Sequence, residues 1–382
     1  MASNEVLIIA AEASSALFAQ RLLEYWKTKK KAVHCFGVGS AEMEKLGFER
    51  FGKAEEMAVM GLAEIREHYQ EIKAVFYKIL DEVQRRQPKV AVIMDYPGFN
   101  LKLAKELKKL GIPVVYYIPP QVWAWKKGRV HQIRKNCARV LSIFPFEKKF
   151  YEANGVACDF IGHPMLDEMQ DRWFDAEYRR SHRNRCGILD DEIVIGLMPG
   201  SRKGEVRHHL QTQFEVATLL YKAYPKIKVL LMVAPTLTTE QMKDLIGDVR
   251  IPFIVQKDDP FEMIHLADYV LAASGTATLM VGLLQKPMVV MYKFNWLTAL
   301  IAKIIVHGVK FFGIVNLIHD REVVPERWQE KANAKALFKL MRRFLDEPAY
   351  TETVKRDLAQ LQFMLGNRGA TTRVAAVLED YL

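Results

Sequence analysis

The apolar residues of this chain come in short, nearly unbroken runs: VLIIA (6–10), VAVIM (90–94), VVYYI (114–118), VLSI (140–143), IVIGLM (193–198), VLLMV (229–233), YVLAA (269–273) and MVVMY (288–292). A run of about five apolar residues without polar alternation fits a strand buried on both faces. Between many of the runs lie amphipathic stretches, such as residues 16–27 and 215–224. Buried β-branched strands alternating with helices predict α/β domains built on parallel sheets. No short internal repeat or low-complexity segment interrupts the pattern.

The pattern starts twice. After residue 166 the strands give way to the charged stretch DEMQDRWFDAEYRRSHRNR (167–185), and a new strand opens at Ile193. With 382 residues, half of them hydrophobic, the chain is long for one core and suits two. The predicted division is 1–168, 169–345, and a C-terminal helical segment 346–382 that packs back on the first domain. Two doubly wound Rossmann-like domains with a cleft between them fit this layout. In such sheets ligands bind beyond the carboxyl ends of the strands. Glu12, Asp95, Ser201 and Ser274 each follow a predicted strand.

Lys plus Arg number 55 against 45 Asp plus Glu, a formal charge of +10. This balance points to an anionic partner: nucleic acid, anionic lipid or a phosphorylated substrate. No nucleic-acid-binding motif accompanies it. Cys35, Cys137, Cys158 and Cys186 are scattered without a CxxC pair, as expected of reduced thiols rather than a disulfide frame or zinc site. The opening MASNEVLIIAAEASS lacks a basic leader and reads as a first strand. The longest apolar stretch, 296–315, is broken by Lys303, His307 and Lys310, so no bilayer span is predicted.

Several turns are built for chemistry. MDYPGFN (94–100) carries the carboxylate of Asp95 to the end of a buried strand, just before a helix. MPGSRKGEV (198–206) is a strand, a Pro-Gly-Ser-Arg loop and a helix start. Its free amides and Arg202 suit a phosphate, against the plainer reading of a turn with a solvated arginine. It is not a Walker loop. AASGTATLM (272–280) offers the hydroxyls of Ser274 and Thr276 and the bare amide of Gly275, or is simply a tight strand-to-helix turn. Glu12, in AEASSA (11–16), is either a cleft acid or a helix-start residue complementing the dipole. PPQVWAWKKGRV (119–130) sets Trp123 and Trp125 beside Lys126, Lys127 and Arg129, which suits a headgroup interface or sugar platform; a buried tryptophan beside a solvated basic face is the alternative. Ile72 and Phe76 belong to a helical stripe in 57–80 that is either core or membrane-facing, and the stretch around Trp296 poses the same choice. His163, in GHP, reads as a turn histidine.

Together, MAVMGLAEI (57–65), MDYPGFN, IPPQVWAWKKGRV (118–130), FPFEKKFYEANGV (144–156), FIGHPMLDE (160–168), LMPGSRKGEV (197–206), AASGTATL (272–279) and NLIHDREVVPE (316–326) resemble, in order and over nearly the whole chain, the lipid-A-disaccharide synthase family. The resemblance implies a GT-B glycosyltransferase, with two Rossmann-like domains facing across a cleft. It implies UDP-2,3-diacylglucosamine as donor and 2,3-diacylglucosamine 1-phosphate, lipid X, as acceptor, with no metal or other cofactor. It places the protein at the cytoplasmic face of the inner membrane, against anionic lipid, with self-association as a homodimer through the second domain and no nucleic-acid partner.

By the same resemblance Asp95 is the general base, with Glu12 beside it. Gly200, Ser201, Arg202, Glu205, Ser274, Gly275, Thr276, Asn316 and Glu322 hold the UDP-sugar. Trp123, Trp125, Lys126, Lys127, Arg129, Ile72, Phe76 and Trp296 serve the acceptor and the membrane. The family's first motif usually reads GEASGD, so Ala16 stands where an aspartate is usual. Met280 stands where a glutamate usually holds the ribose diol. Methionine cannot accept those hydrogen bonds, a contact worth about 1–3 kcal/mol. The rival readings are a UDP-sugar epimerase of the same fold and a lapsed homologue that binds lipid without catalysis.

Overall fold

The computed structural model describes residues 4–58, 69–123, 126–293, 311 and 313–382. The chain divides into two compact units, Met1–Glu168 with Leu365–Leu382, and Met169–Met364.

In the first unit, strands β1 (Asn4–Ala10), β2 (Val33–Gly39), β3 (Glu49–Lys53), β4 (Val90–Met94), β5 (Val114–Tyr117), β6 (Arg139–Ser142) and β7 (Cys158–Phe160) form one parallel sheet in the order β3-β2-β1-β4-β5-β6-β7. The central pair explains the unbroken apolar runs: residues 6–10 and 90–94 are buried along their length. The order of connection reverses between β1 and β4, and Ala10 pairs with Met94. Glu12 and Asp95, which follow these two strands, therefore lie at the topological switch point, where doubly wound sheets bind ligands. Close strand packing also dictates Gly37, which has φ +136°. A Cβ there would stand 2.2 Å from the Ile8 carbonyl oxygen.

Helix Ala13–Thr28 buries Phe18, Leu22, Leu23 and Trp26, the spacing of one helical face. The last helix, Ala370–Glu379, lies against it. Asp167 fixes this arrangement. Its carboxylate accepts the backbone N–H groups of Gly369 (2.5 Å), Ala370 (3.3 Å) and Thr371 (3.0 Å), plus the Thr371 hydroxyl (3.0 Å). These are the orphan donors of a helix start. Asp167→Ala is expected to destabilise the first unit by about 1–3 kcal/mol. Urea unfolding of the full chain, with proteolysis at residues 365–369, checks this; an unchanged midpoint and cleavage rate would count against it.

The second unit repeats the plan. Strands β8 (Ile193–Met198), β9 (Ile227–Met232), β10 (Phe253–Gln256), β11 (Tyr269–Ala273), β12 (Met288–Tyr292) and β13 (Glu326–Trp328) form a parallel sheet in the order β10-β9-β8-β11-β12-β13. Its switch point lies between β8 and β11, where Met198 pairs with Ala272. The Pro199–Arg202 and Ser274–Thr276 turns leave the sheet there. The charged stretch after residue 166 is partly a helix, Ala176–Arg185, docked on this unit through Asp268. That carboxylate meets Arg179 at 2.7 Å and Arg183 at 3.1 Å and accepts the Val194 N–H at 2.8 Å. The C-terminal segment divides between the units. Helix Pro348–Met364 stays with the second unit, beside helices Ala277–Leu283 and Ala334–Asp346, and the chain rejoins the first from Leu365.

Candidate active site

In the first unit the site is built around a strained turn. Asp95 and Tyr96 have φ of +45° and +39°, and Ile118, at the end of neighbouring β5, has +56°. Left-handed backbone is costly for non-glycine residues and persists only where the surroundings impose it. Here Asn100 donates through Nδ2 to the carbonyls of Met94 and Asp95, both at 2.8 Å. The Tyr116 hydroxyl donates to the Asp95 carbonyl at 2.8 Å, and the Asp95 N–H donates to Ile118 O at 3.2 Å. Pro97 then opens helix Pro97–Lys109, its fixed φ suited to a first turn. The Asp95 N–H and carbonyl are thus spoken for, and its carboxyl takes no part in holding the turn.

Burial raises the Asp95 carboxyl from its ordinary 3.8 to about 7, and the charge of Glu12 pushes the same way. An acid near neutrality is suited to taking a proton at physiological pH. Glu12 stands at the N-cap of helix Ala13–Thr28, where its N–H donates to Ser15 Oγ at 3.1 Å. It starts the helix, and its charge reaches the Asp95 carboxyl. Ala16 is buried in the core of the unit.

Beyond β5, Trp123 is half-buried, Lys126 and Lys127 are exposed and Arg129 is half-buried. Trp125 and Trp296 lie outside the described residues. Ile72 and Phe76 sit on helix Tyr69–Arg86 and pack against the core, Phe76 edge-on to Phe99 with centroids 5.4 Å apart. Core packing accounts for these two side chains. His163 is a buried turn residue. Its Nδ1 accepts the Met165 N–H at 3.1 Å, and burial lowers its pKa to about 3.

In the second unit, Gly200 has φ +123°, and a Cβ there would meet the Glu205 carboxylate at 2.8 Å. Glu205 accepts the Ser201 N–H at 3.2 Å and lies 3.9 Å from the Arg202 guanidinium. Glu205 therefore shapes the loop and pairs loosely with Arg202; its charge makes it a poor partner for a phosphate. Arg202 is the N-cap of the long helix Lys203–Ala223, so the positive end of that helix and an exposed guanidinium share one place.

Three residues that sequence reading missed tie this helix to the strand ends. His209 Nδ1 donates to Pro199 O at 3.0 Å, while its Nε2 accepts the Lys293 N–H at 3.0 Å. Gln213 donates to the carbonyls of both Met198 (3.1 Å) and Leu271 (3.0 Å). Thr236 donates to Ser201 O at 2.7 Å. The His209–Gln213 spacing of four was the one available signal, and it fits any helix face.

At the second turn, Ser274 donates its N–H to Met291 O at 3.1 Å, and Gly275 and Thr276 are exposed. A Cβ on Gly275 would meet nothing within 4 Å, so this side of the turn is open. Met280 is half-buried on the helix that follows. Asn316 does not present its amide to a ligand. It is buried, accepting the N–H groups of Val323 (2.7 Å) and Val324 (3.0 Å) and donating to Val324 O (2.8 Å) and Glu326 (3.3 Å). Its role is to shape the loop that carries Glu322. Glu322 is exposed and lines a hollow of about 250 Å³ with Tyr292, Phe311, Glu326 and Arg327.

A family model described as lipid-A-disaccharide synthetase matches residues 6–375. A lipid-A-disaccharide synthase from Anaeromyxobacter dehalogenans is 35% identical over 374 residues, covering 98% of this chain and 96% of the relative. The chain belongs to the lipid-A-disaccharide synthase family. A second lipid-A-disaccharide synthase, from Geobacter sulfurreducens, is 34% identical over 380 residues, covering 100% of this chain and 98% of its own. The fold of this family member is also that of distant solved structures. A UDP-GlcNAc 2-epimerase from Neisseria meningitidis bound to UDP-GlcNAc superposes with a TM-score of 0.66 at 12% identity, covering 98% of this chain and 100% of the epimerase. MurG from Acinetobacter baumannii gives 0.59 at 13% identity, covering 99% of each chain. These likenesses establish the two-domain GT-B architecture for this lipid-A-disaccharide synthase family member.

Proposed function

We infer that the chain is the hexosyltransferase that joins two acylated glucosamines into the lipid A disaccharide. The donor is UDP-2,3-diacylglucosamine and the acceptor is 2,3-diacylglucosamine 1-phosphate. The acceptor 6-hydroxyl oxygen bonds to the anomeric carbon as the bond from that carbon to the UDP oxygen breaks. The hydroxyl proton passes to Asp95, and the β(1→6) disaccharide 1-phosphate and UDP leave. The observation that carries this reading is the Asp95 turn. An inverting transfer needs one base on the acceptor, and a half-buried carboxyl raised to about 7 at a switch point is suited to that task. Arg202 at a helix start meets the charge that grows on the departing diphosphate.

Among the described residues no helix is long and apolar enough to cross a membrane. The acyl chains stay in the inner membrane's cytoplasmic leaflet, and the exposed Lys126 and Lys127 face its anionic headgroups. Incubating the purified chain with both lipids and following UDP and disaccharide by mass spectrometry tests the reading. Disaccharide and UDP in equal amounts are expected. No product in any detergent or vesicle would sink it, and an epimerised UDP-sugar in its place would favour the rival enzyme class.

The half-buried Met280 gives a second check. Met280→Glu restores an acceptor for the ribose diol and is expected to tighten UDP about tenfold in calorimetry. Unchanged or weaker binding would separate this position from the ribose.

A further inference from the structure

Glu147 opens helix Pro145–Ala153 and is 1% exposed. Burying a carboxyl is costly unless its oxygens are bonded, and a leucine would fill the space without that cost. One of its bonds is ordinary: Oε2 accepts the Phe144 N–H at 3.3 Å and closes the first turn of the helix. The other reaches back 24 residues, where Oε1 accepts the Trp123 indole N–H at 3.3 Å. The Phe146 ring stands edge-on to Trp123 at 5.0 Å, and Phe144 stacks on Phe146 at 5.6 Å. The same helix grips the loop a second time, through the Tyr151 hydroxyl on Pro120 O at 3.3 Å.

That loop leaves β5 at Ile118, whose carbonyl holds the Asp95 N–H. Glu147 also lies near enough to Asp95 to feel its charge, which adds to the effect of burial on the Glu147 carboxyl. An indole has a flat apolar body and one polar edge. Here the polar edge is spent on Glu147, and Trp123 is only half-buried, so part of the ring remains for a ligand.

We propose that Glu147 is a positioning residue for acceptor recognition, fixing the Trp123 indole, in the loop that leaves the strand end bonded to Asp95, as the surface on which the acceptor sugar lies. The proposal rests on the transferase reading above. It implies that a residue touching no substrate controls the acceptor KM through one hydrogen bond.

The test uses the full chain and the variants W123F, W123A, E147Q, E147L and E147Q/W123F. For each, kcat and KM are measured separately for donor and acceptor, alongside thermal melts. W123F keeps the ring and removes the donor N–H; it is expected to raise the acceptor KM about tenfold and leave the donor KM within about twofold. W123A loses the surface as well, and about a hundredfold is expected. E147Q keeps one acceptor oxygen and should fall between native and E147L. The double variant should be no worse than the poorer single one, since both break the same bond. Should E147L fail to fold, W123F and E147Q carry the comparison. Donor and acceptor constants that worsen together, in step with lost thermal stability, would make Glu147 a folding residue and overturn the proposal. Native protein that forms no disaccharide would overturn the transferase reading and the proposal with it. Native protein that forms disaccharide while W123F and E147Q leave the acceptor KM unchanged would overturn the proposal alone.

Discussion

Replacing Asp95 by asparagine is expected to lower kcat about 10²–10⁴-fold while leaving the fold and UDP binding intact. The variant is chosen for the backbone. Asp95 sits at φ +45°, and asparagine tolerates left-handed backbone better than most side chains. The hydrogen bonds that hold the turn come from Asn100, Tyr116 and the Asp95 N–H, none of which uses the carboxylate. What the substitution removes is therefore the proton acceptor and little else. Full activity in Asp95→Asn, with disaccharide and UDP formed at the native rate, would dismiss Asp95 as the base.

The pH profile follows from the same residue. With its carboxyl raised to about 7 by burial and by Glu12, Asp95 is a base only above that value. The native kcat/KM should climb with pH and level off above about 7. Glu12→Gln removes the like charge and should move the midpoint to lower pH. Stability should run the opposite way. The folded protein holds the Asp95 proton more tightly than the unfolded chain does, so this contribution is present at acid pH and is lost as pH rises from about 4 through about 7. Above that window Asp95→Asn should be more stable than the native protein by on the order of a few kcal/mol. A variant that is both inactive and less stable at pH 8 would mean that the carboxylate supports the fold.

Both switch points were legible in the sequence, because a buried parallel strand leaves no choice of residue until it ends. VAVIM stops at Asp95 and IVIGLM stops at Pro-Gly-Ser-Arg, and the structure gives each break a place on a sheet. The less regular strands were not legible. β2 reads VHCFGVG because Gly37 must clear the Ile8 carbonyl, and that glycine spoils the apolar run. The sheet-edge strands β3 (ERFGK), β7 (CDF) and β13 (ERW) are short and charged, as exposed edges require.

Helical periodicity marks an apolar face but not what covers it. That is why Ile72 and Phe76 fitted both core and membrane, and why the helices after residue 346 did not reveal that they part company at Leu365. Nor did the motifs show that Asn316 and Glu205 turn polar atoms onto their own loops. Glu147 was passed over because its meaning lies in Trp123, which only the fold brings to it.

Arg202→Ala is expected to lower kcat about 10²–10³-fold and weaken UDP at least about tenfold, with almost no change in thermal stability. The guanidinium side chain is 60% exposed, and its 3.9 Å approach to Glu205 is a surface ion pair, so the fold has little to lose. The reaction has more to lose, since the charges already on the diphosphate are joined by another as its bond to the anomeric carbon breaks. A guanidinium at the head of a 21-residue helix meets them with a fork of donors and the positive end of the dipole together. Arg202→Lys keeps the charge but not the fork and should recover only part of the loss. Glu205→Gln makes the opposite prediction. It removes a carboxylate that competes for Arg202 and repels phosphate, while its amide oxygen still accepts the Ser201 N–H. UDP should bind this variant as tightly as the native protein or more so. Calorimetry with UDP on all three variants decides the matter, because a merely structural arginine would leave UDP binding untouched, and a Glu205 that itself held the nucleotide would weaken it when neutralised.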